Sequence, residues 1–95
     1  MFNNPRYATR GISGDLPLEL QILLWSFIDS MEADEKDYLQ VFCLSAENGK
    51  QKIIHEQEQP EYRREYLFPC ESPVDAKIFV IDDGDHSTML FAEEY

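Results

Sequence analysis

Basic residues are scarce in this sequence. Eight lysines and arginines stand against nineteen aspartates and glutamates, which gives a formal charge of −11 over 95 residues. This surplus argues against direct binding to nucleic acid or to an anionic membrane, because both are negatively charged themselves. It permits the opposite role, in which an acidic surface binds a basic protein partner.

Long hydrophobic runs and cysteines are also few. No segment approaches the roughly 20 consecutive apolar residues that a membrane-spanning helix needs, and the first ten residues have no apolar core of the signal-peptide type. We therefore expect a cytoplasmic protein. The two cysteines, Cys43 and Cys70, fit a reducing compartment as free thiols, and a disulfide between them is the alternative.

Recognisable catalytic chemistry is missing as well. The aspartate-rich segment 82–86 suggests a metal site, but it lacks the alternating acids and the closing glutamate of a calcium loop. It is better explained as a hairpin turn on Asp83-Gly84, with Asp82 opposite Asp85. The histidines and cysteines show no local signature of a nucleophile with its base. We expect no metal, no cofactor and no enzymatic activity.

The residues that are present support one small domain covering residues 1–95. Hydrophobic residues make up 43% of the chain, enough for a packed core despite the high charge. No repeat, linker or low-complexity tract divides the sequence.

One helix is the clearest element. Pro17 suits the first helical position, and the helix is expected to fade in the acidic segment 32–37. A second apolar side, opposite the main one, is either covered by the chain or binds a partner. The main stripe consists of Leu20, Leu23, Leu24, Phe27 and Met31, with Ile28 on its flank, and the second side of Leu18, Ile22 and Trp25.

The rest of the chain predicts strands. A short first strand covers residues 6–10, and later strands cover 38–45, 51–57, 62–68, 76–81 and 87–92. Asn48-Gly49 predicts a tight hairpin turn that pairs Leu44 with Ile53 and Phe42 with His55. The sum predicts the α+β class, with one long helix packed on a mostly antiparallel sheet of five to six strands (β-α-β-β-β-β-β). Strand order stays open.

The acidic residues are concentrated in two segments. Residues 29–37 hold five acids and one lysine, and residues 71–95 hold seven acids and one lysine. They serve either as a solvated coat that keeps the protein soluble or as counter-charge for a basic partner. The candidate binding acids are Asp29, Glu32, Glu35, Asp37, Asp82, Asp83 and Asp85.

Several segments are familiar as a set: RYATRG at 6–11, LPLELQ at 16–21 with Trp25, DYLQVF at 37–42, QKIIH at 51–55, AKIFVIDDG at 76–84, and TML and AEEY near the C-terminus. Together they resemble a family of short uncharacterised proteins of low-GC Gram-positive bacteria, catalogued as a domain of unknown function. The resemblance implies no activity and no site residue. It implies a setting among mobile-element and plasmid genes, similar to that of small host-defence inhibitors such as anti-CRISPR proteins.

Two functions from different classes follow. In the first, the protein is a non-enzymatic binding domain whose acidic surface mimics nucleic acid and occupies the basic groove of a nucleic-acid-handling protein, for example an RNA-guided nuclease. In the second, it is a structural or housekeeping domain that homodimerises through the helix side of Leu18, Ile22 and Trp25. Salt dependence separates them, because screening weakens only the first kind of binding.

Overall fold

A computed structural model describes all 95 residues, Met1–Tyr95. Its six strands form one sheet in the order β1-β6-β5-β2-β3-β4, in which only the edge pair β1–β6 is parallel. Neither helix is long and apolar enough to cross a membrane. In chain order the elements are β1 (Arg6–Ala8), α1 (Arg10–Asp15), α2 (Leu18–Asp29), β2 (Leu39–Glu47), β3 (Lys50–Gln57), β4 (Tyr62–Pro69), β5 (Ala76–Asp82), β6 (Ser87–Phe91) and a short 3-10 helix (Ala92–Glu94).

The predicted fold class, with one long helix on a mostly antiparallel sheet, is wrong. The sheet is mixed, the structure is mostly sheet, and two short helices of 6 and 12 residues replace the long one. The first of them, α1, begins at Arg10, where the sequence predicted the end of the first strand. It forms because the Thr9 side chain accepts a hydrogen bond from the N–H of Ile12 (3.2 Å) and so caps its first turn.

Helix α2 ends at Asp29, before the acidic segment 32–37. The hydroxyls of Ser26 and Ser30 donate hydrogen bonds to the carbonyl oxygens of Leu23 (2.6 Å) and Ser26 (2.9 Å). Such local bonds compete with the helical pattern. The acids that follow would also stand at the negative end of the helix dipole, where they are unfavourable.

Helix α2 buries one side against one face of the sheet, and this confirms most of the predicted stripe. Leu20, Leu24 and Ile28 are buried, and Phe27 stacks on Tyr66 of β4 with ring centroids 3.8 Å apart. Helix α1 adds its buried side to the same core. The sheet contributes Phe42, Leu44, Ile53, Ile78, Val80 and Met89.

The two hairpin turns differ in how well the sequence predicted them. The turn at Asn48-Gly49 has the expected positive φ angles of 50° and 76°, and β2 pairs with β3 in the predicted register. In the second hairpin Asp82 lies opposite Ser87, so the predicted pairing with Asp85 is wrong. The connecting loop has four residues, so Asp85 lies within the loop and not in the strand opposite Asp82. The two carboxylates therefore do not form a like-charge pair across the strands.

We predict opposite effects of alanine at two glycines. Gly49→Ala should destabilise the protein by about 1 kcal/mol or more, because its φ of 76° is unfavourable for a residue with a Cβ atom. Gly14→Ala should be neutral or stabilising by up to about 1 kcal/mol, because it lies in α1 with open space around it. Urea denaturation measures both, and a Gly49→Ala protein as stable as the wild type contradicts the turn assignment.

Candidate functional site

The topology brings three acidic segments to one end of the sheet. In the register of the antiparallel strands, Leu39 lies opposite Ile81, Gln57 opposite Tyr62 and Asp82 opposite Ser87. The α2–β2 linker, the β3–β4 turn and the β5–β6 loop therefore project from the same end, because neighbouring strands alternate in direction. We name this the acidic end and define it as residues 1–6, 29–38, 57–62 and 82–87.

Most of the net charge lies at the acidic end. It holds ten of the nineteen acidic residues but only two of the eight lysines and arginines, Arg6 and Lys36. Glu58 and Glu61 belong to it although sequence reasoning missed them, because they lie in a stretch of balanced charge. The ten acids are Asp29, Glu32, Asp34, Glu35, Asp37, Glu58, Glu61, Asp82, Asp83 and Asp85.

The N-terminal residues join the two acidic clusters that the sequence separates. Met1 and Asn3 line one surface depression together with the linker residues Asp34 and Glu35. The same two residues line a second depression with the β5–β6 loop. The N-terminal segment therefore lies between the linker and the loop, and the acids form one continuous surface.

The carboxylate of Asp82 is occupied by hydrogen bonds within the chain. Its carboxylate accepts hydrogen bonds from the backbone N–H of Phe2 (2.6 Å), from the side chain of Asn4 (3.1 Å) and from the N–H of Gly84 (2.7 Å). These bonds lower the pKa of Asp82, the bond from Phe2 most. Because the Phe2 side chain is buried in the core, Asp82 anchors the N-terminal segment to the sheet.

Asp29 and Asp37 also have intrachain partners. The guanidinium of Arg6 makes two hydrogen bonds to the Asp29 carboxylate (2.5 and 3.1 Å) and lowers the pKa of Asp29. The Asp37 carboxylate accepts a hydrogen bond from the backbone N–H of Gln59 (3.2 Å). These two acids, like Asp82, hold segments of the fold together.

The remaining candidate acids are free to face a partner. Glu32, Glu35 and Asp85 are exposed and make no ion pair within the chain. Asp83 is exposed as well, with His86 Nε2 at 3.4 Å from its carboxylate. Of the seven acids that the sequence predicted to bind a partner, these four are therefore accessible to one.

The second apolar side of α2 is divided. Trp25 is half-buried, packs against the core and lies under the Arg6 guanidinium, 4.7 Å from the ring centroid. Leu18 and Ile22 are 64% and 61% exposed. The chain therefore covers Trp25 itself, and only two aliphatic side chains of this side face outward.

A buried polar network lies directly behind the acidic end. Gln57 accepts hydrogen bonds on Oε1 from the N–H of Asp37 (2.8 Å) and from Gln40 Nε2 (2.7 Å). Its Nε2 donates to the carbonyl oxygens of Glu35 (3.0 Å) and Pro60 (2.8 Å). The network thus fixes the backbone of both the linker and the β3–β4 turn.

The same network determines which ring nitrogen of His55 carries the proton. The bonds to the backbone set the orientation of Gln57 and then of Gln40, whose Nε2 donates to Gln57 and to the Asp37 carbonyl oxygen (2.9 Å). The Gln40 Oε1 therefore faces His55 Nε2 at 2.6 Å, and that nitrogen carries the proton. The imidazole stacks on Phe42, as the predicted hairpin register implied, with centroids 4.3 Å apart.

His55 is adapted to stay neutral. It is fully buried, and Nδ1 has no hydrogen-bond partner. Burial disfavours the charged imidazolium and lowers the pKa of His55 to about 4. A neutral, fully enclosed imidazole is a packing element of the network.

The accessible charged groups of the site are mostly carboxylates. No three histidine, cysteine, aspartate or glutamate side chains converge closely enough to hold a metal ion. The accessible carboxylates project from three connections that the core holds in place. Such an arrangement suits electrostatic binding to a cationic surface.

Residues 5–94 match the family described as Staphylococcal protein of unknown function (DUF960). The chain belongs to this family. A crystal structure of a protein of unknown function from Enterococcus faecalis is similar with a TM-score of 0.84 and 28% sequence identity, over 97% of this chain and 91% of that chain. Comparison with curated proteins gives no match. The predicted membership in an uncharacterised family of low-GC Gram-positive bacteria is confirmed.

We predict that two acids of one loop differ sharply in their effect on stability. Asp82→Ala should destabilise this DUF960 protein by about 1–3 kcal/mol, because three donors lose their charged acceptor. Asp85→Ala should change stability by less than about 0.5 kcal/mol, because Asp85 is exposed and unpaired. Thermal and urea unfolding measure both. Equal stability of the two variants would show that Asp82 does not anchor the N-terminal segment.

The low pKa of the buried His55 predicts that the protein loses stability as the pH falls. In the unfolded chain His55 titrates near 6.5 and in the folded chain near 4, so unfolding takes up a proton between these values and stability falls as the pH drops through them. Between about pH 7.5 and about pH 4.5, the free energy of unfolding should fall by about 2–3 kcal/mol because of His55. In His55→Gln, which retains an N–H donor, urea titrations over this range should not show this part of the pH dependence. Parallel pH profiles of the variant and the wild type would contradict the assignment.

Proposed function

We propose that this protein is a non-enzymatic, cytoplasmic binding domain whose acidic end binds a basic protein surface. The finer proposal is that the acidic end mimics nucleic acid and occupies the groove of a nucleic-acid-handling protein, such as an RNA-guided nuclease. The observation that carries the proposal is the convergence of three acidic connections on one end of the sheet. That end holds ten acids and two bases.

The rigidity of the acidic end supports binding over a solvated coat. Gln57 holds the backbone of Glu35 and Asp37 through hydrogen bonds of 3.0 and 2.8 Å, and Asp82 holds the N-terminal segment and its own loop. Carboxylates on a fixed backbone lose less conformational entropy when they bind. Solubility alone requires no such fixation.

Apolar side chains among the acids support the same proposal. Met1 and Tyr38 are 60% and 54% exposed, and both lie within the acidic end. Tyr7, also exposed, stands beside it with its ring edge against His86. Methionine and tyrosine are enriched where proteins bind one another, because they supply contact area within a polar surround.

We predict that four exposed acids control capture of the partner. The immobilised protein should retain a basic protein from a staphylococcal lysate at low salt and release it at high salt, since screening acts within about 10 Å at 0.1 M. Neutralising Glu32, Glu35, Asp83 and Asp85 to their amides should weaken this capture by about tenfold or more. Mass spectrometry then identifies the retained protein.

A matched variant tests position against total charge. It neutralises four exposed acids at the opposite end, and so changes the net charge by the same amount. Capture by this control should equal that of the wild type. Equal loss in both variants, or retention that ignores salt, would remove the support for the acidic end as a binding site. The control positions are Asp15, Glu19, Glu71 and Glu93.

A further inference from the structure

Neither α1 nor α2 covers the second face of the sheet, where the ring of the C-terminal Tyr95 packs against Phe79 with centroids 5.7 Å apart. Both helices bury their apolar sides in the single core on the other face. Half-buried apolar side chains therefore form a continuous patch over the central strands, because Val41 lies opposite Phe79 and Cys43 opposite Ile54 in the strand register. We name this surface the open face; its half-buried or exposed apolar members are Leu39, Val41, Cys43, Ile54, Leu67, Phe79 and Ile81, and Leu90 is buried beside Phe79.

The charges on the open face nearly cancel one another. Lys52 pairs with Glu47 (3.8 Å) and Glu65 (3.4 Å). Arg63 pairs with Glu56 (3.2 Å) and with Glu65 (3.0 Å). With Lys77, whose ammonium lies 5.8 Å from the centroid of the Phe79 ring, and Lys50, which lies opposite Glu47, the face carries four bases and three acids. It is close to neutral on a protein whose formal charge is −11.

We propose that the open face binds a second copy of this chain. An isologous contact must be complementary to itself, and a nearly neutral, partly apolar face satisfies this condition while the acidic end would repel its own copy. The size also fits. The six strands hold 40 residues, so at about 3.3 Å per residue and about 4.8 Å between strands the face covers about 600 Å² per copy. Two such faces reach the lower end of the range for specific interfaces, about 1,200 Å² in total.

Repulsion between the acidic ends determines how the two copies face each other. The two ends are farthest apart when the two-fold axis runs across the strands, so that the sheets stack with their acidic ends at opposite poles. Cys43 is the middle residue of β2, one of the two central strands. It therefore lies near the axis and faces Cys43 of the second copy at about the 10 Å separation of stacked sheets.

The proposal differs from dimerisation through the helix, and a matched pair of substitutions separates the two. Ile54→Lys places a charge on the open face, whereas Ile22→Lys places it on the exposed side of α2. Light scattering after size exclusion, over a range of concentrations, should show a dimer for the wild type and for Ile22→Lys. Ile54→Lys should raise the dimer dissociation constant by about tenfold or more with unchanged circular dichroism.

Cross-linking tests the geometry of the dimer without placing a new charge on the sheet. In Cys70→Ser a short bismaleimide should link two chains through Cys43, and in Cys43→Ser it should not, because Cys70 lies in the β4–β5 connection. Higher salt should leave the dimer intact or strengthen it as repulsion is screened. This result is independent of partner capture, since the acidic end takes no part in the contact and its four-amide variant should remain dimeric.

Three outcomes would overturn the proposal. The first is a wild-type monomer at every concentration tested. The second is loss of the dimer in Ile22→Lys with retention in Ile54→Lys, which would assign the contact to the helix. The third is cross-linking through Cys70 alone. If Ile54→Lys does not fold, the cross-linking pair decides.

Discussion

The antiparallel pairing of β2 with both of its neighbours is the constraint on which the molecule depends. Its register with β3 and β5 buries Phe42 and Leu44 under α2 and turns Val41 and Cys43 to the opposite face. The same pairing places the start of β2 beside the ends of β3 and β5. One set of backbone hydrogen bonds therefore creates the core, the open face and the acidic end together.

The concentrated charge of the acidic end destabilises a small domain, and polar contacts within the chain offset this effect. Concentrated negative charge opposes the compact state through self-repulsion. Against it, Gln57 binds the linker and the β3–β4 turn, Asp82 binds the N-terminal segment, and Arg6 pairs with Asp29. Burial of the glutamines and of His55 removes no charge from water, because each side chain is neutral. Nearly every one of their polar atoms also has a hydrogen-bond partner. A surface of high charge on a fixed backbone is suited to recognise a cationic partner.

Sequence reasoning succeeded where a local pattern determines local structure. The stripe that includes Leu20 and Leu24 placed the buried side of the helix, although Ile28, assigned to its flank, is fully buried. Asn48-Gly49 placed the first hairpin and its register. It failed where a side chain acts across the fold. Thr9 caps an additional helix that begins where the first strand was predicted to end. Asp82 was interpreted as a surface acid although its main partner is the N–H of Phe2, eighty residues away.

The sequence by itself determined the charge, the family, the hairpin at Asn48-Gly49 and the buried side of α2. These follow from composition, from matched segments and from periodicities that neighbouring residues enforce on one another. The tertiary structure alone decided that Glu58 and Glu61 join the acids of two distant segments, and that Arg6 covers Trp25 while Leu18 and Ile22 stay exposed. The reason is strand order: which ends and which faces meet depends on hydrogen bonds between residues far apart in the chain, and no local pattern encodes that choice.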